Sequence, residues 1–179
     1  MAIEIEKKFT LSNEQHEQIL ANLKESGAKY IGEDFEENTL YRGGVLDEKQ
    51  AVLRVRKIGD KTILTFKEHI ANNSGIKQQT EYETIVEKSE ELEKIIESLG
   101  FEKALVYEKR RQTWTFRAVE IVLDELPFGQ YMEIEGSLMA IAEAEMILDI
   151  EHFEAENETY PRLTQKFGVQ NEQLTEARF

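Results

Sequence analysis

Residues 3–9 read Ile3-Glu4-Ile5-Glu6-Lys7-Lys8-Phe9. Apolar Ile3, Ile5 and Phe9 alternate with charged Glu4, Glu6 and Lys8, and a period of two belongs to a β-strand, whose successive side chains point to opposite faces. One face of this strand needs an apolar cover; the other carries two carboxylates and an ammonium. The same habit returns along the chain as Arg54-x-Arg56, Lys67, Glu81-x-Glu83, Lys109-x-Arg111, Asp124 and Glu133-x-Glu135. On the opposite faces stand Leu53 and Val55, Leu64 and Phe66, Ile121 and Leu123, and Met132 and Ile134. Helices packed on that apolar side would supply its cover.

The pattern between these strands supplies the helices. Ser12 with Gln15 forms a capping box, followed by a stripe of Ile19, Leu20 and Leu23 that ends near Gly27. From Tyr30 to about Phe66 the chain reads as short strand-like runs, broken at Gly43-Gly44 and at the hairpin signal Gly59-Asp60. Asn72-Asn73-Ser74-Gly75 reads as a loop, and 79–86 alternates again. Ser89 opens a helix with Leu92, Ile95, Ile96 and Leu99 on one face, stopped by Gly100. Strands are expected from Phe101 to Trp114, Phe116 to Leu126 and Tyr131 to Glu135, with a turn over 126–129. Helices follow from about Leu138 to Leu148 and from Thr159 to Phe167, the latter with Pro161 in its first turn. Strands punctuated by helices, without regular alternation, predict a mainly antiparallel α+β protein.

The chain has 179 residues, 40% of them hydrophobic, enough for one core and one domain spanning 1–179. The formal net charge of −14 repels polyanions, so duplex nucleic acid is not expected as a partner. The absence of cysteine excludes disulfides, thiolate metal sites and cysteine nucleophiles. No apolar run reaches the roughly 20 residues of a membrane span, and the opening residues lack the basic and apolar segments of a secretory signal. No membrane association is expected, and a cytoplasmic location is. A homodimer is compatible with the sequence. His16, His69 and His152 read as surface residues, and the acidic run 151–158 as a solvated connector. Neither a nucleophile elbow nor a P-loop is present.

The distribution of charge on the strands points to chemistry. An ordinary wet sheet face mixes Thr, Ser, Gln and both charge signs, because like charges brought side by side are unfavourable. Here like charges stand two apart on strand after strand, which costs stability unless cations sit among the carboxylates and an anion among the basic groups. Hard divalent ions prefer carboxylate oxygens. Arg grips phosphate oxygens bidentately and Lys acts as a point charge. Arg54, Arg56, Lys67, Lys109 and Arg111 together suit a ligand with several phosphates, carried with its metal.

In these motifs the chain resembles the CYTH superfamily, the triphosphate tunnel metalloenzymes. Glu4-x-Glu6-x-Lys8 is the family signature, and the remaining charged motifs follow in the family's order over roughly residues 1–170. The resemblance implies an eight-stranded antiparallel β-barrel, open as a tunnel, with charged side chains inside and helices packed outside. It also implies a triphosphate substrate, such as tripolyphosphate, ATP or thiamine triphosphate, with Mg²⁺ or Mn²⁺ as cofactor. Glu4, Glu6, Glu133 and Glu135 look like metal ligands, with Asp124 a further one; Glu4, Glu6 and Lys8 are the expected catalytic set. Lys8, Arg54, Arg56, Lys67, Lys109 and Arg111 look like the triphosphate grip. Glu81 and Glu83 look like supports for it, and Lys166 like a basic residue closing one tunnel end. Arg110 should face outwards by strand alternation. Hydrolysis of a triphosphate is the expected reaction. The alternatives are a class IV adenylyl cyclase, which makes cyclic AMP and pyrophosphate from ATP, and a module that binds polyphosphate or nucleotide without turning it over.

Overall fold

The structure is a computed structural model that describes residues 5–70 and 78–179. Glu4, Ile3 and the expected loop at 72–75 therefore lie outside the described residues. In chain order the elements are β1 (Glu6–Leu11), α1 (Asn13–Glu25), β2 (Lys29–Arg42), α2 (Val45–Lys49), β3 (Val52–Ile58), β4 (Lys61–Ile70), β5 (Gln78–Val86) and α3 (Ser89–Ser98). Then come β6 (Glu102–Phe116), β7 (Val119–Leu126), β8 (Gly129–Glu135), α4 (Leu138–Ile147), β9 (Ala155–Glu156), α5 (Tyr160–Phe167), β10 (Val169–Asn171) and β11 (Leu174–Ala177). The α+β class is the expected one. The ladders β1–β8, β2–β3, β3–β4, β4–β5, β6–β7 and β7–β8 are antiparallel, and β11 runs parallel to β6.

The chain forms two compact units. Residues 1–35, 109–159 and 179 make the first, and 36–108 with 160–178 the second. In the first, β1 pairs with β8, β8 with β7, and β7 with the second half of β6. Its apolar side buries Phe9, Ile121, Leu123, Met132, Ile134 and Trp114 against Ile19 and Leu23 of α1, Ile141 and Ala144 of α4, and Leu148, which caps the C-terminus of α4. The Ser12 capping box closes the start of α1, with the Ser12 hydroxyl accepting from the Gln15 N–H and the Gln15 side chain accepting from the Ser12 N–H. In the second unit, β3 pairs with β4 and with the second half of β2, and β4 pairs with β5. A smaller apolar cluster of Tyr41, Leu46, Val55 and Ile96 lies there, joined by Leu53, Leu64 and Phe66. The expected division into one charged and one apolar face thus holds in both units.

Several boundaries differ from the expectation. Residues 29–42 form one long strand, because the run from Lys29 to Arg42 carries no Pro and its Gly32 sits where a Cβ would meet only open space. Phe116 ends β6 instead of starting β7; the turn falls at Arg117, which takes a positive φ of 51°. The start of α3 is the expected one: Ser89 is its first residue, with Lys88 at the capping position. Part of the acidic connector is ordered as β9, which pairs with β1 through Lys8 opposite Glu156. The short α2 and the hairpin of β10 with β11 carried no alternation long enough to announce them. His16 is half-buried and not a surface residue, and burial lowers its pKa against the opposing pull of Glu125. His152 is exposed as expected, and the His69 side chain lies outside the described set.

Candidate functional site

The charged face of the first unit is built in three cross-strand rows. Residues directly opposite one another in a ladder share a face. Glu6 stands opposite Glu135, and Glu135 opposite Glu120. In the next row Lys8 faces Glu133, which faces Val122. In the third, Thr10 faces Tyr131, Tyr131 faces Asp124, and Asp124 faces Arg111. Lys109 lies two residues before Arg111 on the same strand and therefore on the same side.

The middle of this face is a buried ionic network. Arg111 Nε donates to Asp124 Oδ1 at 2.7 Å and Nη2 to Oδ2 at 2.5 Å, a bidentate fork, while Nη2 also reaches Glu133 Oε2 at 2.8 Å. Lys109 Nζ lies 3.4 Å from Asp124 Oδ2. On the far side of Glu133, Lys8 Nζ approaches Oε1 at 3.2 Å and donates to the backbone carbonyl of Glu158 at 3.2 Å. The side chains of Asp124 and Lys109 are 0% and 3% exposed, so these charges rely on one another for solvation. Toward the Glu6 row the face opens into a cavity of about 60 Å³ lined by Glu6, Arg111, Glu120, Val122, Glu133 and Glu135. That is room for a few waters or a partly hydrated ion.

Four carboxylates and one guanidinium line that cavity, an anionic excess that suits a hard cation. Among the described residues, no three carboxylates come close enough together to hold an ion by themselves. Mg²⁺ characteristically takes one or two carboxylates and completes its shell with waters and substrate phosphates, so the donor set fits a divalent ion bound in that manner. Glu6, Glu133 and Glu135 border this cavity; Asp124 does not.

The charged face of the second unit is arranged differently. Asn38 faces Arg56, Arg56 faces Ile63, and Ile63 faces Ile85; in the adjacent row Leu40, Arg54, Thr65 and Glu83 stand in line. Arg56 Nε is 3.2 Å from Asn38 Oδ1 and 3.6 Å from Glu36 Oε2, and Asn38 Nδ2 donates to the same Glu36 oxygen at 3.3 Å. Arg54 has no such partner. Its Nη2 donates to Thr65 Oγ1 at 3.3 Å, Thr65 passes its own proton to Glu83 Oε2 at 3.1 Å, and Glu83 itself stays 4.0 Å from Arg54. Arg54 Nε is buried with no hydrogen-bond partner among the described residues. Burial, followed by the like charge of Arg56, lowers the Arg54 pKa from its ordinary value. The guanidinium nevertheless stays charged, because the ordinary value is so high. Lys67 pairs with Glu81 at 3.0 Å on a more open part of the face.

The remaining expected residues fall as follows. Tyr107, two residues before Lys109, is buried against Tyr160 of α5, with ring centroids 6.3 Å apart, so α5 stands on the charged side of this part of β6. Lys166 is exposed in the last turn of α5, its ammonium 5.1 Å from the Phe167 ring centroid. Arg110 faces outwards, paired with Glu125 at 3.1 Å and stacked on Phe179. Sequence reasoning missed Glu120, Glu36, Asn38 and Thr65. Parity would have found Glu120, which precedes Asp124 by four residues and so shares its face. Glu36 and Asn38 sit in a stretch not recognised as one continuous strand.

A candidate adenylate cyclase of Methanocaldococcus jannaschii is 26% identical over 150 residues, covering 82% of this chain and 84% of that protein. The structure of a Pyrococcus horikoshii protein matches with a TM-score of 0.73 and 26% identity, over 90% of this chain and 99% of that one. A Hippeastrum protein described as a candidate adenylyl cyclase with a dominant triphosphatase activity shares the fold, with a TM-score of 0.68 and 17% identity over 94% and 98% of the two chains. The model of the CYTH domain matches residues 2–166, across both compact units. The chain belongs to the CYTH domain family.

Proposed function

We propose that the protein is a divalent-metal-dependent triphosphatase acting on inorganic tripolyphosphate or a simple organic triphosphate. The observation that carries this reading is Arg54: a largely buried guanidinium with a like-charged neighbour and, among the described residues, an Nε without a hydrogen-bond partner and no carboxylate nearer than Glu83 at 4.0 Å. Leaving such a group uncompensated is costly, and a phosphate oxygen is the partner its fork fits. The anionic cavity of the first unit is the complementary support.

In this reading one or two of Glu6, Glu133 and Glu135, with Glu4, would hold Mg²⁺ or Mn²⁺ together with waters and substrate phosphates, and Asp124 belongs to the same face. The bound ion would neutralise phosphate charge and activate water. Lys8, Arg54, Arg56, Lys67, Lys109 and Arg111 would bind phosphate oxygens and stabilise the charge that develops as the terminal bridge breaks. Water adds to the terminal phosphorus, the bridging P–O bond breaks, and phosphate and the shortened chain leave. Glu81 and Glu83 orient Lys67 and Arg54, Glu83 through Thr65. Lys166 would be the basic residue that closes one end on the same ligand.

The description of the Methanocaldococcus jannaschii relative favours a second reading, cyclisation of ATP by the same charged face. Incubating the protein with ATP and Mg²⁺ or Mn²⁺ and separating the products decides between them. The triphosphatase gives ADP and phosphate; cyclic AMP with pyrophosphate would replace this reading by the cyclase. Tight tripolyphosphate binding with no product under any divalent ion would leave a binding module.

A further inference from the structure

We infer that Asp124 is a positioning residue that fixes Arg111 and Lys109 for the phosphate chain, and not a ligand of the divalent ion. The inference rests on the proposed triphosphatase reading and deepens it. A metal ligand needs an oxygen lone pair turned toward the ion. Both Asp124 oxygens meet N–H donors, as those of Glu133 do, but Asp124 takes three and, unlike Glu133, does not border the cavity: Oδ1 accepts from Arg111 Nε at 2.7 Å, and Oδ2 from Arg111 Nη2 at 2.5 Å and Lys109 Nζ at 3.4 Å. The side chain is fully buried. The cavity in which the other carboxylates open is lined by Arg111 but not by Asp124. The planar fork on Asp124 fixes the guanidinium in two dimensions, and its Nη2 contact with Glu133 at 2.8 Å fixes the third direction. Arg111 is thereby presented to the cavity with little conformational freedom left to lose when phosphate arrives. An ion on Asp124 would have to displace two charge-assisted bonds and leave Arg111 unanchored.

The test separates metal binding from phosphate binding. Calorimetry measures Mn²⁺ uptake without substrate, and tripolyphosphate uptake in the presence of a chelator, for wild type, Asp124→Asn and Glu6→Gln. Asp124→Asn should keep its Mn²⁺ affinity within about threefold of wild type while its metal-free tripolyphosphate affinity falls by about tenfold or more, the scale of a lost charge-assisted contact. Glu6→Gln should show the reverse. General misfolding would lower both affinities and would not produce this split. If the single variant does not fold, the double variant Lys109→Met with Asp124→Asn removes the buried cation and anion together and is read for Mn²⁺ alone. Loss of Mn²⁺ uptake in a folded Asp124 variant, comparable to that in Glu6→Gln, would overturn the inference and make Asp124 a ligand. Wild-type protein that takes up no Mn²⁺, or Glu6→Gln that takes it up unchanged, would instead overturn the metal reading on which the inference rests.

Discussion

The two units carry the same alternation of apolar and charged strand positions, yet they settle their charges in opposite ways. In the first, Lys8, Lys109, Asp124 and Glu133 are buried in a network that satisfies itself, and the surplus falls on carboxylates around a cavity. In the second, Arg56 has Glu36 and Asn38, but among the described residues no carboxylate comes nearer to Arg54 than Glu83 at 4.0 Å. A self-satisfied network holds its members still, whereas an uncompensated ion is a standing demand for a ligand. Charge alternation on a strand therefore does not by itself identify a binding residue; the partners a side chain already has decide whether it anchors or grips.

Variants of the two units test this contrast. The largest effect is expected from Glu6→Gln, which removes an open carboxylate of the cavity: tripolyphosphate turnover should fall by about 10²–10³-fold, with the thermal midpoint unchanged because Glu6 is exposed. Steady-state kinetics and a melt on the same sample check both halves. Asp124→Asn should instead reduce stability, by about 3 kcal/mol or more in urea unfolding, since it strands the buried Lys109 ammonium. A midpoint equal to wild type would break the contrast from the first unit's side. Arg54→Ala should behave in the opposite sense: KM for tripolyphosphate rises by about 10²-fold, while stability holds or improves because a largely buried cation beside Arg56 is gone. A large loss of stability there would show that Arg54 is already compensated.

The smallest effect concerns a conventional ion pair of the second unit. Burial alone would raise the Glu93 pKa, but hydrogen bonds from Lys103 and Lys57 outweigh it and hold the carboxyl below its ordinary 4.5. Such a group contributes stability that is fully present above its unfolded pKa and is lost as pH falls through the lower folded value. Urea midpoints of wild type and Glu93→Gln should thus differ by a constant amount near neutrality, and the gap should close below about pH 4.5. A gap that widens on acidification would reverse the sign of the interaction.

Much of this was legible in the sequence because strand parity is strict. Ile121, Leu123, Met132 and Ile134 could be assigned to the apolar side and Asp124 and Glu133 to the charged side from alternation alone, and the ladder registers agree. The capping box at Ser12 was legible for the same reason: its chemistry is local. What alternation could not show was who pairs with whom. That Arg111 forks onto Asp124 while Arg54 goes without depends on cross-strand register, set by β6 with β7 and by β3 with β4, which no single strand reveals. Glu120 escaped because it stands four residues from Asp124, outside the pairs spaced two apart, and reads as solvated until Glu135 is found opposite it, with Glu6 next in the row. The β10–β11 hairpin was hidden by its brevity, with three and four residues in its strands.

Phosphate release from tripolyphosphate, followed with Mg²⁺ or Mn²⁺ and again with a chelator, tests the central claim most directly. Metal-dependent release that stops on chelation and resumes when the ion is restored is the predicted result. Equal release with and without metal, or none with either ion despite folded protein, would contradict it.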